Sequence, residues 1–100
     1  MSAYVVFLRL RTRNPAELAL YAQAAPAFMA GHDVRRLANF GPCETVEGAG
    51  AEGVAILEFA TMAAAKAWYE SPAYQEASRH RFMGGDYSAI FVEGVEEGAG

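Results

Sequence analysis

The chain has 100 residues, of which 53% are hydrophobic and 20% are charged. This size and composition predict one domain with a modest core, spanning residues 1–95 and followed by a flexible tail at residues 96–100. The net charge of -4 argues against a nucleic-acid partner, because proteins that bind nucleic acids present a positive surface.

The cysteine and hydropathy patterns favour a cytoplasmic protein without a membrane partner. Cys43 is the only cysteine, so it has no partner for an intramolecular disulfide. The N-terminus lacks the features of a secretory signal, and no apolar run approaches the length needed to span a bilayer. No histidine follows closely enough in sequence to activate Cys43, which is therefore expected to be a small buried hydrophobe.

The N-terminal part of the chain predicts a strand followed by a helix. Residues 3–10 are rich in β-branched and aromatic side chains and are apolar on both faces of a strand. Asn14 as N-cap, Pro15 in the first turn and Glu17 completing a capping box predict where the helix begins. Pro26 should kink this helix or tighten its last part. Its apolar residues recur at helical spacing and predict a buried stripe, formed by Leu18, Tyr21, Ala22, Ala25, Phe28 and Met29.

The middle of the chain predicts two strands joined by a hairpin loop. Residues 34–40 have the pattern of a strand, and a short extended piece is expected at residues 43–47. The glycine-rich residues 47–53 lack the lysine and hydroxyl of a phosphate-binding loop, so they are interpreted as the hairpin loop. Residues 54–59 then predict the third strand.

The C-terminal part predicts two helical segments and a last strand. Thr61 is the expected N-cap of an alanine-rich helix over residues 62–70. Ser71, followed by proline at the first helical position, is the expected N-cap of a second segment that ends near Phe82. Residues 87–94 predict the final strand.

The order strand, helix, strand, strand, helix, strand is that of the split βαβ arrangement. It predicts an α+β domain with a four-stranded antiparallel sheet and helices on one face. The other face would be uncovered, and strands that are apolar on both sides favour a second copy packed against it. A twofold homodimer is therefore expected.

Three segments carry a resemblance to a known family: "VEG" at 46–48, "LEFATMAAAKAWYESPAYQEASRHR" at 57–81 and "FVEG" at 91–94. With them the chain resembles a bacterial family called domain of unknown function 1330, part of the dimeric alpha-beta barrel group. The resemblance implies a ferredoxin-like fold and a homodimer, but no established reaction. The wider group includes cofactor-independent monooxygenases, lactone isomerases, polyketide cyclases and haem enzymes, and fold alone does not choose among them.

One helix face collects several side chains that could bind a ligand. Tyr74, Ser78 and Arg81 follow one another at spacings of four and three, near Trp68 at the preceding corner. A phenol, a hydroxyl and a guanidinium could orient a carbonyl or carboxylate group against an apolar wall. Core packing also explains Trp68 and Tyr74, and it is the favoured role for Trp68. Arg81 is equally explained as a cation that stabilises a helix end or pairs with a carboxylate.

A second polar group is expected on the second strand. Arg35 and Arg36 point to opposite faces, and an inward arginine needs a carboxylate or a ligand. Arg36 with Asn39 is therefore a candidate polar end of a pocket. Tyr21 could add a hydroxyl, although core packing is its expected role.

The sequence predicts neither a metal nor a cofactor. His32 and His80 have no cysteine nearby and are expected in surface or capping roles, with His80 the one candidate haem ligand. No Ser-His-Asp spacing, paired-carboxylate motif or dinucleotide fingerprint is visible.

Two functional hypotheses follow. The first is a protein that binds a small carbonyl- or carboxylate-bearing molecule between helices and sheet, either without turnover or as a cofactor-independent monooxygenase-, isomerase- or cyclase-like enzyme. The second is a non-catalytic dimeric structural or regulatory module, in which the same side chains only pack.

Overall fold

The computed structural model describes residues 2–95 and has the predicted order of elements. The strands are β1 (Ala3–Thr12), β2 (Arg35–Asn39), β3 (Gly53–Phe59) and β4 (Gly85–Glu93). The helices are α1 (Pro15–Gln23), α2 (Ala25–Met29), α3 (Met62–Tyr69) and α4 (Pro72–Gly84). None of the helices in the described range is long and apolar enough to cross a membrane. The predicted tail at residues 96–100 lies outside that range.

The four strands form one antiparallel sheet in the order β2-β3-β1-β4. Val5 and Phe7 of β1 are buried and face the helices, whereas Val6 between them is only partly buried and faces the opposite side. Val6 pairs with Ile56 on β3 and with Ile90 on β4. The predicted α+β fold, ferredoxin-like βαββαβ with helices on one face of the sheet, is confirmed.

Helices α1, α3 and α4 begin directly after the residues that were predicted to be their N-caps. The side chains of Asn14, Thr61 and Ser71 each accept a hydrogen bond from a backbone N–H in the first turn of the helix that follows. Glu17 does not complete a capping box. Its Oε2 lies 2.6 Å from Nδ1 of His80, so it joins α1 to α4 instead.

The predicted kink at Pro26 is a full interruption. Proline has no N–H to donate to the carbonyl four residues earlier, so the helical hydrogen bonding of α1 cannot continue through it. The chain leaves α1 at Ala24 and resumes as the short α2.

One expectation for the loop between β2 and β3 is wrong. Residues 41–50 are all exposed, so Cys43 has no core to enter and is not a buried hydrophobe. The extended piece predicted at residues 43–47 pairs with no strand in the part of the chain that the structure describes.

Candidate functional site

A cavity of about 220 Å³ lies between the sheet and the first two helices. On the sheet side it is lined by Phe7, Arg9, Arg36, Asn39, Phe40, Ala55 and Leu57. On the helix side it is lined by Leu18, Tyr21, Ala22, Ala25, Phe28 and Met29, with Trp68 of α3 beside them. The walls are mainly apolar, and the polar side chains on them belong to two arginines, an asparagine and a tyrosine.

The cavity exists because the apolar stripe of α1 and α2 does not close on the sheet. All six residues predicted to form a buried stripe line the cavity, and α1 has no fully buried residue. Ala22 and Ala25 line it from the helices, and Ala55 lines it from β3. Larger side chains at these positions would fill the space, since protein interiors are normally close-packed. The stripe therefore forms the wall of a cavity and not only part of the core.

The two arginines of the cavity differ in how their charges are neutralised. Arg9 Nε donates a hydrogen bond to Oε1 of Glu52 at 3.0 Å. Arg36 forms no ion pair within residues 2–95. Arg35 lies on the opposite face of the sheet, with its Nη1 3.7 Å from Oε1 of Glu58, as strand alternation predicted. Arg36 is exposed, so it does not need a partner as a buried arginine would, and its charge is available to an anion at the cavity wall.

A buried hydrogen-bonded chain lies behind the cavity wall. Tyr74 has no exposed surface and Arg81 is 3% exposed. Arg81 Nε donates to Tyr74 Oη at 3.2 Å, and Tyr74 Oη lies 2.9 Å from Tyr21 Oη. The Arg81 guanidinium carbon also lies 4.7 to 5.2 Å from the centres of three aromatic rings, those of Phe7, Phe82 and Tyr87.

The charge of Arg81 has no acidic partner in the described part of the chain, where no carboxylate lies within 4.0 Å of its nitrogens. Aromatic faces stabilise a cation without neutralising it. The position of Arg81 in the last turn of α4 also favours positive charge, because the helix C-terminus is the negative end of its dipole. The expectation that Arg81 pairs with a carboxylate is therefore wrong, whereas its place at the helix end agrees with the other structural expectation.

Both phenols of this chain are held in their neutral form. Burial raises the pKa of Tyr21 far above its ordinary value of 10.0. Burial also raises the pKa of Tyr74, although the nearby Arg81 charge opposes the shift. At neutral pH each phenol therefore carries a proton that it can donate.

The seven candidate ligand residues fall into two groups. Tyr21, Arg36, Asn39 and Trp68 line the cavity. Tyr74, Ser78 and Arg81 share a helix face, as their spacing predicted, but they are buried and do not line the cavity. Ser78 Oγ donates to the carbonyl of Gln75 in its own helix. Tyr74 and Arg81 are linked to the cavity wall by the hydrogen bond between Tyr74 and Tyr21.

Trp68 has a structural contact in addition to its place on the cavity wall. It is fully buried, and its Nε1 donates to the carbonyl oxygen of Phe28 at 3.0 Å. This bond satisfies the polar edge of the indole and ties α3 to α2, as expected of a core tryptophan.

Sequence reasoning missed Arg9, which lines the cavity beside Phe7. Alternation along β1 contained a signal for it, because Ala3, Val5, Phe7 and Arg9 share one face. An arginine that continues a buried apolar row marks the point where the core gives way to a polar or open space. No cluster of three or more histidine, cysteine or acidic side chains that could hold a metal occurs among the described residues.

Several solved structures have a similar fold, and three of them are described below. Protein RPA0582 from Rhodopseudomonas palustris, of unknown function, is 18% identical, with 95% of this chain and 83% of that chain covered and a TM-score of 0.69. A dimeric ferredoxin-like protein of unknown function from Thermobifida fusca is 13% identical, with coverages of 93% and 91% and a TM-score of 0.64. SnoaB, a cofactor-independent oxygenase from Streptomyces nogalater, is 14% identical, with coverages of 95% and 94% and a TM-score of 0.66. At these identities the similarity establishes the fold alone.

The family relationship rests on sequence. No curated protein matches the chain. The sequence profile described as "Domain of unknown function (DUF1330)" matches residues 2–95, which is nearly the whole chain. The chain therefore belongs to the DUF1330 family.

Proposed function

We propose that this protein binds a small molecule with an apolar body and a carbonyl or carboxylate group in the cavity between the sheet and α1 and α2. The observation that carries the proposal is an apolar cavity lined by an arginine, Arg36, that has no ion pair within residues 2–95. Ligand sites are typically apolar concavities with a few polar groups that orient the ligand.

The volume of the cavity limits the size of the ligand. A cavity of roughly 150 Å³ can hold benzene. The space of about 220 Å³ seen here therefore suits a single ring with one small substituent. Phe7, Phe28 and Phe40 supply aromatic surface against which such a ring can pack.

The charges favour an anionic substituent. Glu52 already neutralises Arg9, so a carboxylate that entered the cavity would find Arg36 as the available cation. Asn39 lies three residues further along β2 and on the same face, because the strand register shifts between Arg36 and Ala38. Its amide can donate a further hydrogen bond to the ligand. A carboxylate held by both groups would be oriented as well as neutralised.

The same lining favours binding over general acid–base catalysis. The described residues on the cavity wall include no histidine, cysteine, aspartate or glutamate. Burial raises the pKa of Tyr21, so the phenol stays protonated at neutral pH and no phenolate is available to act as a general base. A reaction in this cavity would have to depend on the reactivity of the substrate itself. SnoaB, a structural neighbour, is a cofactor-independent oxygenase, and turnover of an oxygenase, isomerase or cyclase type without a cofactor is the enzymatic form of the proposal.

We also propose that the protein is a homodimer in the cytoplasm. The face of the sheet opposite the helices carries Val6, Ile56 and Ile90 side by side, and Ile90 is 48% exposed. A second copy packed on this face would remove that apolar surface from water. The dimeric Thermobifida fusca relative has the same fold, and the single cysteine is usual in a reducing compartment.

Binding of benzoate tests the ligand proposal. We expect isothermal calorimetry to detect binding to the wild type and a roughly three- to tenfold loss in affinity for Arg36→Ala. Arg79→Ala is the matched control, because it removes the same charge from an exposed arginine on α4 that does not line the cavity. Ala25→Leu should abolish binding by filling the cavity.

The alternative, a non-catalytic structural or regulatory dimer, predicts a different result. In that case neither benzoate nor neutral one-ring probes bind, and Ala25→Leu only improves packing. Equal loss of affinity in Arg36→Ala and Arg79→Ala would show that the effect of Arg36 is a general one of charge, and would contradict its assignment to the site.

A further inference from the structure

We propose that Arg81, Tyr74 and Tyr21 form a hydrogen-bond relay with a fixed direction, which presents the hydroxyl proton of Tyr21 to an acceptor oxygen of the ligand. The inference rests on the proposed function, because it assigns a role to one wall of the same cavity. It makes Tyr21 a ligand-binding residue, and Tyr74 and Arg81 positioning residues that act through it.

The direction of the relay begins with the arginine. A guanidinium has N–H donors and no acceptor, so in the 3.2 Å contact the oxygen of Tyr74 must accept. Tyr74 has no exposed surface, and its own proton therefore needs a protein acceptor. The other partner of this hydroxyl within residues 2–95 is Tyr21 Oη at 2.9 Å. Tyr74 consequently donates to Tyr21.

The position of Tyr21 then determines where the relay ends. Its oxygen accepts from Tyr74, so its own proton must point elsewhere. Tyr21 Oη has no second hydrogen-bond partner among the described residues. Its side chain lines the cavity, whereas that of Tyr74 does not. The space in which the Tyr21 proton can find an acceptor is therefore the cavity.

The buried charge strengthens this donor. Arg81 lies among aromatic faces and has no carboxylate within 4.0 Å in the described range, so its field is not cancelled locally. Hydrogen bonds in a chain polarise one another, and a cation at the start makes each successive hydroxyl a better donor. The relay thus favours ligands with a carbonyl or carboxylate oxygen over apolar ligands of the same shape.

Two probes of matched shape measure this preference directly. Acetophenone and α-methylstyrene differ in having a carbonyl oxygen or a methylene group at the same position. We expect the wild type to bind acetophenone more tightly. Tyr21→Phe should weaken acetophenone binding roughly three- to tenfold and leave α-methylstyrene binding nearly unchanged. Tyr74→Phe should reduce the preference by a smaller factor, because Tyr21 keeps its hydroxyl but loses the polarising donor.

Tyr69→Phe is the matched control. Its ring packs against Tyr74 at 5.3 Å, but Tyr69 does not line the cavity. It should retain the wild-type ratio of the two affinities. If both probes bind and the ratio is the same in Tyr21→Phe and the wild type, the relay is overturned while the binding site stands. If neither probe nor benzoate binds, the proposed function is contradicted. The direction of the relay can then still be tested by a measurement that needs no ligand.

That ligand-free measurement is the exchange rate of the tyrosine hydroxyl protons. With tyrosine labelled at Cζ, a slowly exchanging hydroxyl gives two carbon signals in an equal mixture of H₂O and D₂O, and a rapidly exchanging one gives a single signal. Tyrosine-to-phenylalanine variants assign the signals. The relay predicts two signals for the enclosed Tyr74 and one for Tyr21. Two signals for Tyr21 would mean that its proton is enclosed as well, and would overturn the proposed direction.

Discussion

Arg81 allows the volume of a buried side chain to be separated from its charge, through the variants Arg81→Met and Arg81→Ala. Burial of an ion costs several kcal/mol, whereas its charged hydrogen bond to Tyr74 contributes about 1.5 to 3 kcal/mol. Each ring contact adds about 0.5 to 2 kcal/mol, and the end of α4 adds about 0.3 to 1 kcal/mol. These contributions nearly cancel, so Arg81→Met should change the free energy of unfolding by less than about 2 kcal/mol.

Arg81→Ala removes the charge and also leaves a cavity. A large-to-small change at a buried site costs about 2 to 5 kcal/mol, and this cost should fall on the alanine variant alone. Urea unfolding can be followed by the fluorescence of Trp68, the single tryptophan, whose ring centre is 4.2 Å from that of Tyr74. All variants must be compared at one protein concentration, since association would add to stability.

Two outcomes would refute this reasoning. If Arg81→Met lowers the free energy of unfolding by more than about 3 kcal/mol, the charge is strongly stabilising. Arg81 would then have an interaction partner that is not among the contacts counted above. An Arg81→Ala variant within about 0.5 kcal/mol of the wild type would mean that the side chain is not packed as its burial indicates.

Two further predictions concern packing and alkaline pH. Gly84→Ala should destabilise the protein by about 1 to 3 kcal/mol in urea unfolding. The added Cβ would lie 2.5 Å from Leu18 Cδ2 and 3.1 Å from the Leu18 backbone nitrogen. Gly41→Ala is the control and should have little effect, because a Cβ there has no atom within 4 Å. The raised pKa values of Tyr21 and Tyr74 keep both phenols neutral in the folded state. Their contribution to the free energy of unfolding is therefore complete below pH 10.0 and is lost as the pH rises above that value. Above that pH, stability should fall by about 1.4 kcal/mol per pH unit for each phenol relative to a variant with phenylalanine at both positions, and equal slopes would contradict the burial of these groups.

The elements of the fold could be predicted because their signals are local. The N-caps Asn14, Thr61 and Ser71 each act within three residues of their own position. Alternation along β1 likewise depends only on neighbouring residues, and it placed Val5 and Phe7 together on one face. Such signals determine where an element begins and which way its side chains point.

The sequence indicated a pocket between helices and sheet with Arg36 and Asn39 at its polar end, but it could not show that the helix stripe would leave a cavity. A helix stripe that lines a cavity has the same spacing as one that fills a core, so Tyr21 and Ala25 carry no local mark of the difference. The contact between Tyr21 and Tyr74 joins residues 53 positions apart. Whether a carboxylate lies near Arg81 likewise depends on all the residues that pack around it, which come from distant parts of the sequence. The site depends on how the helices and strands pack together, and their sequence periodicities do not predict that packing.

The apolar outer face of the sheet leads to the last prediction, which concerns the homodimer. Val6 lies between Ile56 and Ile90 in the sheet, so the three form a continuous apolar row across β3, β1 and β4. Ile90→Lys places a charge in this row at a position that is 48% exposed in one chain, where the isolated domain can tolerate it. Facing copies would have to bury two such charges without partners.

Sedimentation velocity at micromolar concentration should therefore show a dimer for the wild type and a monomer for Ile90→Lys. Leu20→Lys is the matched control, because Leu20 is 44% exposed on α1 and the charge change is the same. It should remain dimeric. A wild type that is monomeric at tens of micromolar would contradict the proposal, and so would a dimer that Ile90→Lys leaves intact, since a sheet-to-sheet interface cannot bury unpaired lysines at no cost. If Leu20→Lys dissociates instead, the helices and not the open sheet face form the interface.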